Sequence, residues 1–467
     1  MAAGGQADGG DMSGGEGPGP STALFTDRYE LTMLDAALRS GMAARPATFE
    51  VFSRRLGEGR RHGVLAGVDR FLAALEQFRF GPAELVWLAD EGVVSASTLA
   101  WLADFRFSGS IDAYGEGEHY TVGSPVLTVE GAFGEALLLE TLVLSILNHD
   151  SAIASAAELI VGAAGDRPVI EMGSRRVAPE AAVAAARAAY LAGFSSTSNL
   201  EAGRRFGIPT VGTAAHAFVL AYPSEAEAFA AQIATAGVST TLLVDTYDIE
   251  GGIRTAVGVA GAGLGAVRID SGSLVDEARR ARCLLDSLGA HDTAVIVTGD
   301  LDDVAIAALA DAPVDGYGVG TRVVTGLDQP TATFVYKLVS VAGQHQPGQS
   351  QHPVAKRSPG KANVGGRKWA WRARLDEIPP DFEGPPIVAG PVLVDLVTTS
   401  PRPPPGAGRA LQRRVVEGGR VIGREPLATA RDRCSAAVVE AAGTTGLVVV
   451  RPDRAAAPPP APPARTT

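Results

Sequence analysis

Between Arg167 and Thr325 the chain repeats one pattern, and that pattern restricts its fold more than any other feature. Short runs rich in β-branched residues end in glycine or polar residues: "PVIEMG", "IPTVGT", "TTLLVDTYD", "GAVRIDSG", "AVIVTGD" and "DGYGVGT". Alanine-rich stretches with helical patterning separate them, among them "APEAAVAAARAAYLAGF", "SEAEAFAAQIATAG", "SLVDEARRARCLLDSLG" and "DVAIAALADA". Near-continuous apolar strands, with no alternation, suit a sheet covered by helices. Strands recurring once per helix predict βα units in a parallel sheet or barrel, an α/β fold. Glu171, Asp245, Arg268, Asp270, Asp300 and Gly320 each close one of these runs at its C-terminal end. In a βα barrel those ends converge on one face, where a site is built.

The flanks have a different texture. "ARPATFEVFSRRLGEGRRHGVLAGVDRFLAAL" (Ala44 to Leu75) reads as strand, loop, strand and helix, and "FSGSIDAYGEGEHYTVGSPVLTVEG" (Phe107 to Gly131) as hairpin-like strands. These predict an N-terminal α+β domain over 23–135 beside a βα barrel over 136–340 that carries the active site. Strand patterns in "KWAWRARLD" and "PPIVAGPVLVDLVT" predict that 354–450 returns to the first domain. "GQHQPGQSQHP" and "PRPPPGAGR" read as loops. The Gly-rich residues 1–22 and the Pro/Ala-rich residues 451–467 bury too little apolar surface to offset chain entropy, and disordered tails are expected there.

A net charge of −11 argues against a nucleic-acid partner held by a general basic field, while leaving room for local arginines that bind a small anion. No apolar run approaches the roughly 18 residues of a membrane span. The nearest, "EALLLETLVLSILNHD" (Glu135 to Asp150), is interrupted by Glu140 and reads as a buried helix. The N-terminus has neither the basic start nor the apolar centre of a secretory signal, so a cytoplasmic location is expected. Cys283 and Cys434 sit in no metal or redox spacing, and Cys283 reads as core within its helical pattern.

Three segments carry chemistry. "GYGVGTRVVTG" (Gly316 to Gly326) ends the series of strands, and its backbone N–H groups, with the Thr321 hydroxyl, suit a phosphate; a plain tight turn is the alternative. In "VRIDSGSL", Arg268 and Asp270 stand two apart on one side of a strand. They suit an anion and a ribose hydroxyl, or a structural ion pair. "EMGSRRVAPE" puts Arg175 and Arg176 before a helix N-terminus, where an anion is favoured. His216, in "IPTVGTAAHAFVLAY", falls just past a strand end rather than within it, which favours the mouth of the barrel over its wall.

These segments in order resemble nicotinate phosphoribosyltransferases: "FTDRYELTM", "EMGSRR", "AGFSSTSNLEAGRRFGIPTVGTAAHAF", "LLVDTYD", "VRIDSGSL", "YGVGTRVVTG", "VYKLV" and "KRSPGKANVGGRKWAWR", from Thr26 to Arg372. The resemblance implies a type II phosphoribosyltransferase fold, an irregular βα barrel with an additional α/β sandwich domain, in a homodimer. It implies an enzyme of the ATP-dependent ligase class that joins nicotinate to 5-phosphoribosyl-1-pyrophosphate (PRPP). The products are nicotinate mononucleotide and pyrophosphate, on the route to NAD, and ATP hydrolysis drives the reaction through a phosphohistidine. Mg²⁺ is expected with PRPP and ATP, with no ligand residues assigned.

On the same resemblance His216 is the phosphorylated residue, and Tyr29, Thr213 and Arg268 contact nicotinate, Tyr29 from the neighbouring subunit. Arg175, Asp270, Gly320 and Thr321 bind PRPP. Three departures stand out: "DSGS" places Ser273 where the family has a second carboxylate, "VAPEAA" replaces a polar run after the paired arginines, and Gly299 stands where Ser or Asn is common. Other readings are a transferase for nicotinamide or quinolinate, or a catalytically inactive homologue that keeps the PRPP or nucleotide pocket.

Overall fold

Two sheets of opposite character organise the chain. The computed structural model describes residues 20–57, 59–343, 351–356, 358, 363–374, 392–404, 406–444 and 446–450. The tails at 1–19 and 451–467 and most of the loop at 343–353 lie outside these residues.

The βα rhythm folds into a six-stranded, wholly parallel sheet. Its order is Ser196–Thr197, Val169–Glu171, Gly316–Val319, Ala294–Gly299, Ala266–Ile269, Thr241–Leu243. First and last strands of the series, Val169–Glu171 and Gly316–Val319, pair directly, so the sheet curls into a barrel wall with one seam. "IPTVGT" was expected as a further strand at that seam and is not one: Thr210 makes only a single bridge to Thr197. Residues 211–213 are exposed, with Gly212 in open space, so nothing on that side completes a ladder.

Helices cover the sheet by burying small side chains. Pro179–Leu191 hides Ala182 to Ala189 almost entirely, and proline starts it where no backbone N–H is needed. Phe194 and Phe229, both fully buried, add roughly 1.5–3 kcal/mol each to this core. Leu274–Ser287 buries Ala278, Ala281 and Leu285 at three- and four-residue spacing, which leaves Cys283 outside the stripe. Cys283 is therefore exposed, not core; Cys434 is the buried thiol.

The second sheet is antiparallel and has seven strands in the order His352–Pro353, Phe334–Val341, Pro46–Ser53, Leu127–Ala132, Ser110–Tyr114, Gln412–Glu417, Arg420–Val421. Phe334–Val341 pairs with Pro46–Ser53, so the stretch before residue 340 belongs with the first domain rather than with the barrel. Gln412–Glu417 pairs with Ser110–Tyr114, bringing the C-terminal segment back to this sheet. Within the expected hairpin, Ser110–Tyr114 pairs with Leu127–Ala132, whereas His119–Tyr120 pairs with Gly63–Val64 in a separate two-stranded ribbon. A four-stranded sheet, Arg409–Ala410, Trp369–Arg374, Leu393–Thr398, Leu447–Val450, completes the fold.

The helix Glu140–Ala164 packs against Phe334–Val341 of the antiparallel sheet and against Pro179–Leu191 of the barrel. With the preceding turn it is long and apolar enough to cross a membrane by length and composition, more than the sequence suggested. Most of that stretch is buried in protein, and its fully buried Asp150 accepts from Arg70 at 2.7 Å. It is a core helix. Arg187 crosses between the two halves and donates both ends of its guanidinium to Glu116, at 2.9 and 2.6 Å.

Candidate active site

The C-terminal ends of the parallel strands open onto two adjoining cavities. One, of about 230 Å³, lies between Arg175, Arg176, Arg268, Asp270, Asp300 and Thr321. The other, of about 350 Å³, runs from Arg175 and Arg268 past Ser198 and Thr213 to His216. Arg175, Arg268, Asp270 and Met172 line both.

Glu171, the last residue of its strand, does not face the cavities. It turns inward and accepts from the Thr197 hydroxyl at 2.5 Å and from the Gly173 N–H. Burial pushes its carboxyl above the ordinary range, against those two hydrogen bonds. Its role is to fix the turn that presents Arg175 and Arg176. Asn199 braces the same turn: its amide donates to Ser174 at 3.0 Å while its oxygen caps the helix Leu200–Phe206. Arg175 and Arg176 are exposed and have no carboxylate partner among the described residues. Two guanidiniums without a carboxylate partner, on a braced turn, suit an anion.

Across the cavity the chain passes close to itself at Gly318, where a Cβ would meet Thr298 Cγ2 at 2.5 Å and Met172 Sδ at 2.8 Å. Glycine is needed there for the strand to approach. The Gly299 departure also has a backbone cause, since its φ of +146° strains any side chain. Gly320 and Thr321 then form the turn into Thr321–Val324, and the Thr321 hydroxyl has no partner among the described residues.

Arg268 is held on several sides. Its Nε donates to Thr298 Oγ1 at 2.9 Å, one terminal nitrogen donates to Thr213 Oγ1 at 3.1 Å, and the other lies 3.6 Å from Asp270 Oδ2. Thr298 in turn donates to Asp270 Oδ1. The Arg268 and Asp270 pair foreseen in the sequence therefore forms, with Thr298 between them. Thr298 stands two residues before Asp300, on the same side of its strand, and that alternation is the signal that could have found it.

His216 begins the short helix His216–Leu220 at the open seam. Its Nδ1 lies 3.2 Å from Thr246 Oγ1, and its Nε2 lies 3.9 Å from Asp245 Oδ1. With 42% of its side chain exposed, it is not core filler. Asp245 Oδ2 is fixed by the Asp270 N–H and the Ser271 hydroxyl, each at 2.8 Å, while Oδ1 is buried with no partner. A proton on Nδ1, shared with Thr246, leaves the Nε2 lone pair free for nucleophilic attack. Asp245 and Thr246 were not among the expected site residues, although Asp245 closes its strand in the same way as Asp270.

Two further positions singled out in the sequence, Tyr29, expected from the neighbouring subunit, and the departure at Ser273, lie outside both cavities of the single chain. Tyr29 sits on the helix Arg28–Arg39 of the antiparallel layer and lines neither cavity. Burial and the neighbouring Glu140 and Glu30 push its phenol up to about 12, so it remains a proton donor at neutral pH. Ser273 also lines neither cavity; its hydroxyl donates to Asp276 at 2.8 Å. The exchange of carboxylate for hydroxyl therefore falls at the start of a helix, outside the pocket walls.

Known proteins resemble this chain in sequence and in fold. Residues 24–148 match the family described as the nicotinate phosphoribosyltransferase N-terminal domain. A Mycobacterium tuberculosis nicotinate phosphoribosyltransferase is 52% identical over 418 residues, covering 87% of this chain and 88% of its own. One from Bacillus subtilis is 38% identical, covering 75% and 73%. Among solved structures, human nicotinic acid phosphoribosyltransferase superposes with a TM-score of 0.75 at 23% identity, covering 92% of this chain and 98% of that one. A Pyrococcus furiosus nicotinate-nucleotide pyrophosphorylase gives 0.70 at 23% identity, covering 90% and 95%. Those two likenesses concern the fold.

Proposed function

Because the chain belongs to the nicotinate phosphoribosyltransferase family, we propose that it joins nicotinate to PRPP, giving nicotinate mononucleotide and pyrophosphate with hydrolysis of ATP. The observation that carries this reading is the junction of the two cavities at Arg268. One lobe offers unpaired arginines and a glycine turn for phosphates, and the other leads to His216.

Arg268 binds the nicotinate carboxylate, to which a pre-oriented guanidinium can donate in bidentate fashion, and the Thr213 hydroxyl supports it. Arg175, Arg176, Gly320 and Thr321 hold the phosphates of PRPP, and Asp270 accepts from its ribose. The pyridine nitrogen then attacks C1 of the ribose as the C1–O bond to pyrophosphate breaks, the electron pair leaving with pyrophosphate. Mg²⁺ suits this mouth because Asp245 Oδ1, Asp270 and Asp300 are oxygen donors and Asp245 Oδ1 has no hydrogen-bond partner among the described residues. Bound with pyrophosphate, it would neutralise charge on the leaving group.

His216 Nε2 attacks the γ-phosphorus of ATP, the P–O bond to ADP breaks, and a phosphoimidazole forms. Its hydrolysis to phosphate makes the cycle consume ATP. Thr246 orients the ring through Nδ1, and the nearby Asp245 carboxylate stabilises the imidazolium character that develops on phosphorylation. The reading also needs a second copy of the chain to bring Tyr29 to the cavity. Tyr29 and Met33 on the N-terminal helix, with Phe25 in the turn before it, are exposed and largely apolar, which suits such a contact.

Incubation with γ-³²P-ATP tests the phosphoryl step. Wild type is expected to retain an acid-labile, base-stable label that is absent from His216→Ala. Equal label in the alanine variant would remove His216 from this role.

A further inference from the structure

Away from the cavities, three residues distant in sequence meet where the two-stranded ribbon crosses the long helix. His62 Nε2 lies 2.8 Å from Glu158 Oε2, and His119 Nε2 lies 2.6 Å from Oε1. The two imidazoles face each other with centroids 3.8 Å apart and planes 19° from parallel. One ligand-capable atom from each residue falls within 4.8 Å of the others. His119, on the ribbon strand, is buried, Glu158 is nearly so, and His62 is 24% exposed.

The pairing is unusual for a buried carboxylate. Among the described residues, the only hydrogen-bond or ion-pair partners of Glu158 are the two imidazoles, and neither carries a fixed charge. A buried carboxylate is costly without a full counter-charge. At Glu116 and Asp150 that need is met by arginine, by Arg187 and Arg70, while Glu171 keeps only a hydroxyl and an N–H.

We propose that His62, His119 and Glu158 bind one borderline divalent ion of the Zn²⁺ class, at a structural site separate from the phosphoribosyl cavities. Two imidazole nitrogens and a carboxylate suit zinc, cobalt or nickel, whereas Mg²⁺ prefers an all-oxygen set. Water on the exposed side of His62 completes four-coordination. The present N–O separations are hydrogen-bond lengths, so as the ion enters each ring carries its proton on Nδ1 instead of Nε2, and the stacked rings splay to aim the freed Nε2 lone pairs at it. His62 is the ring with room to move, being the one partly exposed. Once bound, the ion fastens the ribbon to the helix Glu140–Ala164. Arg60, two residues away, donates to the Gly326 carbonyl at 3.0 Å and so joins the clamp to the end of the Gly316–Gly326 segment.

The test is calorimetric titration of chelator-dialysed, full-length protein with ZnCl₂ and separately with MgCl₂. It is repeated for His62→Ala, Glu158→Gln and a surface control, His291→Ala, with circular dichroism on each. Wild type and His291→Ala are expected to bind one Zn²⁺ per chain with a rise in Tm and no comparable Mg²⁺ binding. His62→Ala and Glu158→Gln, folded by dichroism, are expected to lose roughly 10- to 100-fold or more in affinity. Cobalt substitution reports geometry independently, through a tetrahedral visible absorption lost in both variants. Absence of stoichiometric zinc, or equal affinity in His62→Ala and wild type, overturns the proposal.

Discussion

Arg268→Ala is expected to lower kcat/KM for nicotinate by roughly 30- to 5,000-fold, the equivalent of about 2–5 kcal/mol for truncating one partner of a hydrogen-bonded charge pair. The size follows from how the residue is held. Only 13% of its side chain is exposed, and Thr298, Thr213 and Asp270 fix its guanidinium before any ligand arrives. No ordering cost is then left for the substrate to meet. The loss should be selective: turnover of nicotinamide, which presents no charge, should fall much less, so the ratio between the two substrates collapses. Steady-state kinetics with both substrates checks this. An unchanged ratio would mean that Arg268 does not read the carboxylate.

Arg372→Met is expected to cost about 3–5 kcal/mol of stability, the usual penalty for removing one partner from a buried ion pair. Arg372 is 1% exposed and donates to Asp395 at 2.9 Å, to Glu118 at 2.8 Å and to the His119 carbonyl at 2.7 Å. These contacts bind the four-stranded C-terminal sheet to the ribbon. Glu118 keeps Arg409 after the substitution, at 2.6 and 2.7 Å, but Asp395 keeps only the Ser124 hydroxyl. Burial already pushes the Asp395 carboxyl above its ordinary range. Losing the arginine removes the main influence holding it down, so the variant takes up a proton there in the folded state. Chemical denaturation of both proteins measures the loss. A difference under about 1 kcal/mol would place the network among exposed pairs of little worth.

Much of the barrel could be read from the chain because its signals are local. A β-branched run such as "AVIVTGD" announces a strand and its end together, and the polar residues at those ends mark the mouth where Arg268, Asp270 and Asp300 line the cavity. The same rule overreached at "IPTVGT". Its composition is that of a strand, but a strand needs a run of partners, and here pairing stops at the single Thr210–Thr197 bridge, which the Val211 N–H closes onto the Thr197 carbonyl at 3.0 Å. Cys283 shows a related limit: the helix was legible, but which stripe it buries depends on the sheet beneath it. The antiparallel sheet was legible only as separate strands. Pairing Pro46–Ser53 with Phe334–Val341 joins residues almost 300 positions apart, and no spacing encodes that. Nor does anything local announce that His62, His119 and Glu158 converge, or that Asp245 stands beside His216.

The most direct measurement is nicotinate mononucleotide formation by purified protein given nicotinate, PRPP, Mg²⁺ and ATP, with and without ATP, for wild type and His216→Ala. Wild type should form the mononucleotide, more when ATP is present, and His216→Ala should show no response to ATP. No product above an enzyme-free blank, or an ATP response that survives in His216→Ala, would contradict the account.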